Sequence, residues 1–295
     1  EGIRRRLAPG PRMVICGRPI TITGGHMGYF GSEADGVDAV RAEVRKLLKE
    51  GADYVKIVAS GGSTRTSDPN RASYTVAELA AMTDEAHRHG TLTAAHCTAA
   101  ESVQNCLDAG VDMIIHCIFN EPDGTYRFRP DLVERLVAAK AWVNPTLYVM
   151  KAGIDRLREA REREGRLTPD LLAQLEQSQR ALDVRVDAVR QMTEAGVRMT
   201  AGSDSPWGWY APGEFVHEIH MLARAGLSYA DAIVAGTSGA AESIGVGALA
   251  GRLLPGRPAD VLVVRGDPTG DIAALWDVLD VYQAGRRIER GLSDS

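Results

Sequence analysis

The sequence lacks the features that mark membrane proteins and nucleic-acid-binding proteins. No run of apolar residues reaches the roughly 18 to 20 that a membrane span needs, and no secretory leader is recognisable at its start. The 295 residues include 34 basic and 39 acidic side chains, a formal net charge of -5, so no sequence-wide basic field favours a polyanion. We therefore expect a small-molecule substrate as the partner, with no nucleic acid and no membrane. Assembly into a homo-oligomer is left open.

Cysteine is scarce, and its spacing does not match the common disulfide or zinc patterns. The four cysteines lie among apolar residues with no CxxC pair: Cys16, Cys97, Cys106 and Cys117. Scattered thiols of this kind are typical of reduced cytosolic proteins. The expected location is cytoplasmic. A signal peptide on a longer chain is left open, because the sequence does not begin with methionine.

Strand-like and helical segments alternate along most of the chain, which is typical of repeated βα units around a parallel sheet. We expect one α/β domain over residues 1–246, since no linker rich in Pro, Ser or Gly divides it. Short β runs between Gly/Pro turns then predict a small antiparallel domain over residues 247–295. The six predicted strands of the main domain lie in "RMVICGRPITIT", "YVKIVAS", "TLTAAHC", "DMIIHCIF", "WVNPTL" and "VRMTAGSD". The predicted helices include residues 37–50, 75–89, 169–195 and 228–246.

Four polar residues lie at or near the C-terminal ends of apolar strands: Lys56, His96, His116 and Asp204. In parallel α/β folds this edge of the sheet carries the functional site, because its loops can be shaped without disturbing the packed strands. Two imidazoles and a carboxylate at one edge suit a divalent metal ion such as zinc. A buried lysine pairs, deprotonates or is chemically changed, and a neutral lysine can add CO2 to form an anionic carbamate.

Side-chain alternation along a strand predicts which neighbours face the same way. His116 is expected to share a face with Ile114, while Cys117 points to the opposite face, under the helices. His96 and Cys97 are separated in the same manner. This split argues against a metal site made jointly of histidine and cysteine.

Each of the four residues also has an ordinary structural interpretation. A single strand-end histidine is commonly a hydrogen-bonded core residue. Lys56 could be an edge lysine that extends to water, and Asp204, which precedes Ser-Pro, could cap a turn or a helix. Their shared position at the same end of successive strands favours one functional site.

Two further residues are predicted to contact the substrate. His26 lies in the Gly-rich loop "TGGHMGYFG" after the first predicted strand, and Tyr148 follows "NPTL", where its hydroxyl could donate to a substrate carbonyl. The segment "HEIH" at 217–220 does not match the HExxH zinc motif, and we expect it to be a solvated helix face.

The order of these motifs resembles the metal-dependent amidohydrolase superfamily, in particular its imidazolonepropionase-like and prolidase-like (Xaa-Pro dipeptidase-like) branch. "GADYVKIVASGG" is similar to the strand that carries a carboxylated lysine, which implies a metal-bridging carbamate on Lys56. "TAAHC" and "IIHC" are similar to the strands that supply one metal-binding histidine each, His96 and His116. "TAGSD" is similar to the last barrel strand, so the resemblance makes Asp204 both a metal ligand and the catalytic base on a bridging hydroxide.

The resemblance implies a TIM-like (β/α)8 barrel with a small β-sandwich domain, of which this chain holds the third to eighth barrel strands and the C-terminal part of the small domain. The family's His-x-His strand has no counterpart here, since the one HxH triplet of the sequence, at residues 87–89, lies in the predicted helix 75–89. The implied cofactors are two divalent metal ions, with zinc expected, and a CO2-derived carbamate on Lys56. The implied activity is hydrolysis of an amide C–N bond in a dipeptide or N-acyl amino acid. Two alternatives are hydrolysis or deamination of a cyclic amide or heteroaromatic substrate, and an inactive fragment or pseudoenzyme.

Overall fold

A computed structural model describes residues 2–3, 5, 7–8, 10–205, 207 and 210–289 of the chain. The predicted domain ranges 1–246 and 247–295 each include a few residues outside this set, among them the last six. Within the described residues no helix is both long and apolar enough to cross a membrane. All four cysteines are free thiols, as their spacing predicts.

Helices and strands alternate through the first two thirds of the chain. The helices are α1 (Val37–Glu50), α2 (Val76–Arg88), α3 (Ala100–Asp108), α4 (Pro130–Ala139), α5 (Leu147–Glu164), α6 (Pro169–Glu194), α7 (Val216–Arg224), α8 (Tyr229–Gly236) and α9 (Ser238–Ser243). The strands are β1 (Val55–Val58), β2 (Thr93–His96), β3 (Met113–Ile115), β4 (Trp142–Asn144), β5 (Arg198–Met199), β6 (Val261–Val264), β7 (Val278–Gln283) and β8 (Arg286–Arg287). Two short 3-10 helices, Gly28–Phe30 and Ile272–Trp276, complete the described elements.

The first five strands form one parallel sheet in the order of the sequence, β1-β2-β3-β4-β5. Each neighbouring pair is parallel, and at least one helix connects each strand of this sheet to the next, as parallel pairing requires. The predicted α/β fold with a parallel sheet is therefore confirmed. The C-terminal ends of all five strands meet at one edge, which is where the predicted site residues lie.

The first of the six predicted strands does not form a regular strand. In that segment Ile20 alone bridges β1, at Ile57, through hydrogen bonds from Ile20 N to Lys56 O and from Val58 N to Ile20 O, both 2.9 Å long. The preceding residues explain the interruption. Gly17 has a left-handed φ of 67°, and Pro19 has no N–H to donate to a ladder.

The two faces of the sheet differ in what covers them. Ile57, Ile114 and Val143 belong to the face that packs against the helices, and each is 0% exposed. The alternate residues Lys56 and Ile115 line a cavity on the other face. Alternation along the strands thus sends one set of side chains into the core and the other into the cavity.

Local signals place α2 and α6 close to their predicted bounds, whereas the predicted helix 228–246 is divided into α8 and α9 at Thr237. Thr75 caps α2 in a capping box, in which its side chain accepts from Glu78 N and the Glu78 carboxylate accepts from Thr75 N. Gly90 follows the helix with a left-handed φ of 68°, the conformation that glycine adopts most cheaply. Thr168 caps α6, and Pro169 occupies its first turn, where a missing N–H costs nothing.

The last strands form a separate antiparallel sheet, β6-β7-β8, in agreement with the predicted antiparallel runs. Ala284 and Gly285 connect β7 to β8, and both have positive φ, 49° and 77°. Two left-handed residues in a two-residue loop match the right-handed twist of the strands they join.

Close packing of the helix-covered face predicts that Ile57 contributes more to stability than an exposed isoleucine outside this sheet. Ile57→Ala should lower the free energy of unfolding by about 2 to 5 kcal/mol, because it leaves a cavity between the sheet and the helices. Ile288→Ala removes the same atoms from a residue that is 42% exposed, and should cost under about 1 kcal/mol. Urea unfolding of both variants measures the difference, and equal losses would contradict the packing described here.

Candidate functional site

Three imidazole rings lie in a row at the C-terminal edge of the parallel sheet. The ring centroid of His96, at the end of β2, is 4.7 Å from that of His116, which follows β3. On the other side of His96, the ring of His26 lies 4.8 Å away. Strands that are adjacent in a parallel sheet bring their ends together, and this explains how residues 20 to 70 positions apart meet.

His116 does not point where strand alternation predicts. Its neighbour Ile114 faces the helices, yet the His116 ring lies against His96 at the edge of the sheet. The backbone is the reason, because His116 and Cys117 both have left-handed φ values, 67° and 52°. Two consecutive non-glycine residues in this conformation end the strand and turn the side chain, at a cost of order 1 to 3 kcal/mol each.

Hydrogen bonds determine which nitrogen of His96 keeps its lone pair. His96 Nε2 lies 3.0 Å from the carbonyl oxygen of Gly61. A carbonyl only accepts, so Nε2 carries the hydrogen and donates it. The lone pair of His96 is therefore on Nδ1.

In His116 the hydrogen and the lone pair are on the opposite nitrogens from those in His96. His116 Nδ1 lies 2.6 Å from Thr146 Oγ1, and the Thr146 hydroxyl donates its one proton to Pro145 O at 2.8 Å. Thr146 Oγ1 must then accept from His116 Nδ1–H, which leaves the lone pair on Nε2. The two adjacent histidines thus present different nitrogens as free acceptors.

Burial keeps these imidazoles uncharged. It lowers the pKa of His96 to about 3, and the positive charge of Lys56 adds to the effect. Burial is also the main reason why the pKa of His116 lies well below its usual value, with a smaller contribution from His96. The pKa of His26 is lowered in the same way, by burial first and by Lys56 second. Neutral imidazole is the form that binds metal ions and accepts protons.

Lys56 and Asp204 line a common cavity of about 270 Å³ beside the histidines. Burial lowers the pKa of the Lys56 ammonium, and the nearby Asp204 carboxylate opposes this shift. Although Asp204 is exposed to the cavity, the protein around its carboxyl raises its pKa, while Lys56 acts in the opposite direction. Both groups are therefore shifted toward their neutral forms.

The predicted ligand set is brought together only in part. His96 and His116 are neighbours, and Lys56 and Asp204 share the adjacent cavity. Nevertheless, the described residues contain no group of three or more His, Cys, Asp or Glu side chains that could hold a metal ion. Two adjacent neutral imidazoles, each with a free lone pair, are donors that suit a divalent metal ion such as zinc, but the described side chains do not complete its coordination.

The two predicted substrate contacts have different surroundings. His26 is 4% exposed and hydrogen-bonds Thr64 Oγ1 through Nδ1 at 2.8 Å, beside the other imidazoles. Tyr148 is packed among aromatic rings instead, stacked on His217 at 4.2 Å and edge-on to Tyr210 at 4.7 Å. Its hydroxyl donates to Glu214 at 3.3 Å, and Tyr148 is not among the residues that line the cavity of Lys56 and Asp204.

The expectation of a solvated helix face for "HEIH" is wrong. Glu218 is 0% exposed, and its carboxylate accepts hydrogen bonds from Leu147 N at 3.0 Å and Tyr148 N at 2.7 Å. His217 stacks on Tyr148, and His220 lies 6.0 Å from the Trp276 ring. The helical spacing of the three polar residues in this segment carries no information about the tertiary partners that bury them.

Glu218 predicts a specific pH dependence of stability. Burial raises its pKa to about 7, and Asp204 adds to this, whereas the amides of Tyr148 and Leu147 and the charge of Arg185 lower it. Between about pH 4.5 and 7 the folded chain keeps a proton that the unfolded chain has released, so the free energy of unfolding should fall as pH rises. The expected fall from this one group is at most about 3 kcal/mol.

Glu218→Gln removes this titration without a large change in shape. Urea unfolding of both proteins at several pH values gives the difference in stability, in which the contributions of the histidines cancel. As the pH rises from about 4.5 to 7, the free energy of unfolding of the variant should increase relative to that of the wild type. The difference should level off above about pH 7. Parallel curves for the two proteins would show that Glu218 does not titrate in this way.

Comparison with known proteins places this arrangement in a family. The model of the Amidohydrolase family matches residues 1–288. The ochratoxinase of Aspergillus niger is 29% identical over 269 residues, which cover 88% of this chain and 52% of the relative. The chain therefore spans about half the length of the curated relatives it matches.

Solved structures share the fold. A Xaa-Pro dipeptidase with bound methionine superposes with a TM-score of 0.82 at 23% identity, over 98% of this chain and 71% of that chain. A prolidase complexed with N-methylphosphonate-L-proline gives a TM-score of 0.78 at 25% identity, over 98% of this chain and 72% of that chain.

Proposed function

Because this chain belongs to the amidohydrolase family, we propose that it carries the site of a metal-dependent hydrolase that cleaves an amide C–N bond in a dipeptide or N-acyl amino acid. The observation that carries the proposal is the adjacent pair of neutral imidazoles, with free lone pairs on His96 Nδ1 and His116 Nε2. A structural relative that is a Xaa-Pro dipeptidase supports the dipeptide as substrate class.

The proposed ligands are the side chains that the sequence singles out. His96 and His116 would each supply one nitrogen to a divalent metal ion, with zinc favoured by the nitrogen donors. Burial lowers the pKa of Lys56, which favours the neutral amine, the form that can add CO2 with loss of a proton. The resulting carbamate on Nζ would supply the anionic oxygen ligand that the unmodified side chains lack. Bound metal would polarise the scissile carbonyl and lower the pKa of a water.

Asp204 is the proposed proton carrier. Its raised pKa brings the carboxylate closer to the pKa that an efficient general base needs near neutral pH. It would take a proton from the attacking water and give it to the departing amine. His26, whose Nδ1 also accepts from Thr64 N at 3.4 Å, would present Nε2–H to the substrate. Tyr148 is also a proposed substrate contact, which would require the rings of Tyr210 and His217 to move away from it.

A second candidate is a non-catalytic chain, and one observation favours it. Among the described residues no three metal-ligating side chains come together. This alternative expects weak metal binding and no turnover of any amide. A protein that binds two metal ions and hydrolyses dipeptides would exclude it, whereas one metal ion with turnover of ring substrates would favour a cyclic-amide hydrolase or deaminase.

Asp204→Asn tests the proton carrier. With a panel of dipeptides and N-acyl amino acids, the variant should lose at least about 100-fold in kcat/KM, because amide cannot take the proton from water. Asp170→Asn, at an exposed position in the first turn of α6, is the matched control and should keep wild-type rates. Equal rates for both variants would remove Asp204 from the mechanism.

Lys56→Ala tests the carbamate. Protein expressed from its own gene and purified with labelled bicarbonate should show a carbamate carbon signal by NMR and two metal ions by elemental analysis. The variant should lose that signal and at least one metal ion. Lys49→Ala, which alters an exposed lysine at the end of α1, should change neither, and unchanged metal content in Lys56→Ala would refute the bridging role.

A further inference from the structure

Two buried ionisable side chains lie near the histidine row and take no part in the proposed chemistry. Arg185, on α6, is 4% exposed, and Glu218, on α7, is 0% exposed. Removing an ion from water costs several kcal/mol unless its hydrogen bonds are replaced. Each of these two side chains forms hydrogen bonds with backbone groups next to the site.

Arg185 holds the backbone at the end of β3. Its guanidinium donates to His116 O at 2.5 Å and to Cys117 O at 3.2 Å. These carbonyls belong to the two left-handed residues that end the strand. A planar guanidinium has its donors in a fixed fork, so it can hold both carbonyls of this turn at once.

Glu218 holds the segment on the other side of His116. Its two oxygens accept from Leu147 N and Tyr148 N, the first amides of α5, which have no partner within the helix. The residue just before them, Thr146, is itself left-handed, with φ 48°. A carboxylate at a helix N-terminus also interacts favourably with the helix dipole.

The two held segments are joined by a side-chain hydrogen bond from His116 Nδ1 to Thr146 Oγ1, close to the backbone bond from His116 N to Asn144 O. We propose that Arg185 and Glu218 are positioning residues that hold these two turns in register, so that His116 keeps its hydrogen on Nδ1 and its lone pair on Nε2. The proposal rests on the proposed function only for the identity of the group that His116 Nε2 binds. The hydrogen bonds that support it all lie within the chain.

Each charge also stabilises the other. Glu218 acts against the burial that lowers the pKa of Arg185, and Arg185 acts against the burial that raises the pKa of Glu218. If the pair served stability alone, its loss would lower the unfolding free energy and leave the imidazole of His116 unchanged.

The test is the protonation pattern of the His116 ring. Protein expressed from its own gene with 15N-labelled histidine, freed of metal, gives long-range 1H–15N spectra of its imidazoles, and His116→Gln assigns the signal among the seven histidines of the chain. The wild type should show hydrogen on Nδ1. Thr146→Val, which removes the acceptor, supplies the spectrum of a released ring.

Two conservative variants then probe the positioning residues. Arg185→Lys keeps the charge but cannot hold both carbonyls, and Glu218→Gln offers one acceptor oxygen to two amides. In both, the His116 signal should move toward that of Thr146→Val, and the affinity for added Zn²⁺ should fall roughly 10- to 100-fold. Arg190→Lys, on the same helix as Arg185 but paired at the surface with Asp187 and Glu194, should match the wild type.

The possible results distinguish the positioning role from the proposed function. A wild-type His116 signal in a folded Arg185→Lys or Glu218→Gln protein would overturn the proposal, even if that variant were less stable. A shifted His116 signal with no amide hydrolysis by the wild type would support the positioning role and contradict the proposed function.

Discussion

The site depends on the interruption of strand β3 at His116. Two successive left-handed residues turn this side chain out of the strand pattern and against His96, and such backbone persists only where the surroundings enforce it. The buried guanidinium of Arg185 provides that enforcement, since it bonds both carbonyls of the turn. Hydrogen bonds to a charged group contribute about 1.5 to 3 kcal/mol each, which is enough to offset the strain.

Burial at the edge of the sheet shifts the three histidines, Lys56 and Asp204 toward their uncharged forms. The histidines and Lys56 lose affinity for their protons, and Asp204 gains affinity for its own. The common cause is the poorer solvation of charge away from water. The edge of the sheet therefore presents neutral bases, which suits an approaching cation or a proton better than a row of charged imidazoles would.

Family membership determines the architecture, whereas the choice of substrate is decided by the side chains around the cavity. Its wall includes Met27, Phe30 and Tyr54, next to the polar groups of Asn144 and Thr146. Close packing also limits variation there. A methyl group on Gly202 would approach the Asn144 amide to 2.2 Å, so the Asn144 side chain is held against the last strand segment before Asp204.

The sequence by itself determines the parallel α/β order, the capped helices and the polar residues at strand ends, because apolar periodicity and capping are local properties. Tertiary structure decided what local periodicity cannot encode. The period of two fails at His116, since it holds only while the backbone stays extended, and Gly17 and Pro19 reduce the first predicted strand to a bridge at Ile20. The role of Arg185 was equally hidden, because a charge in a long polar helix is ordinary until folding brings it to a carbonyl 69 residues away.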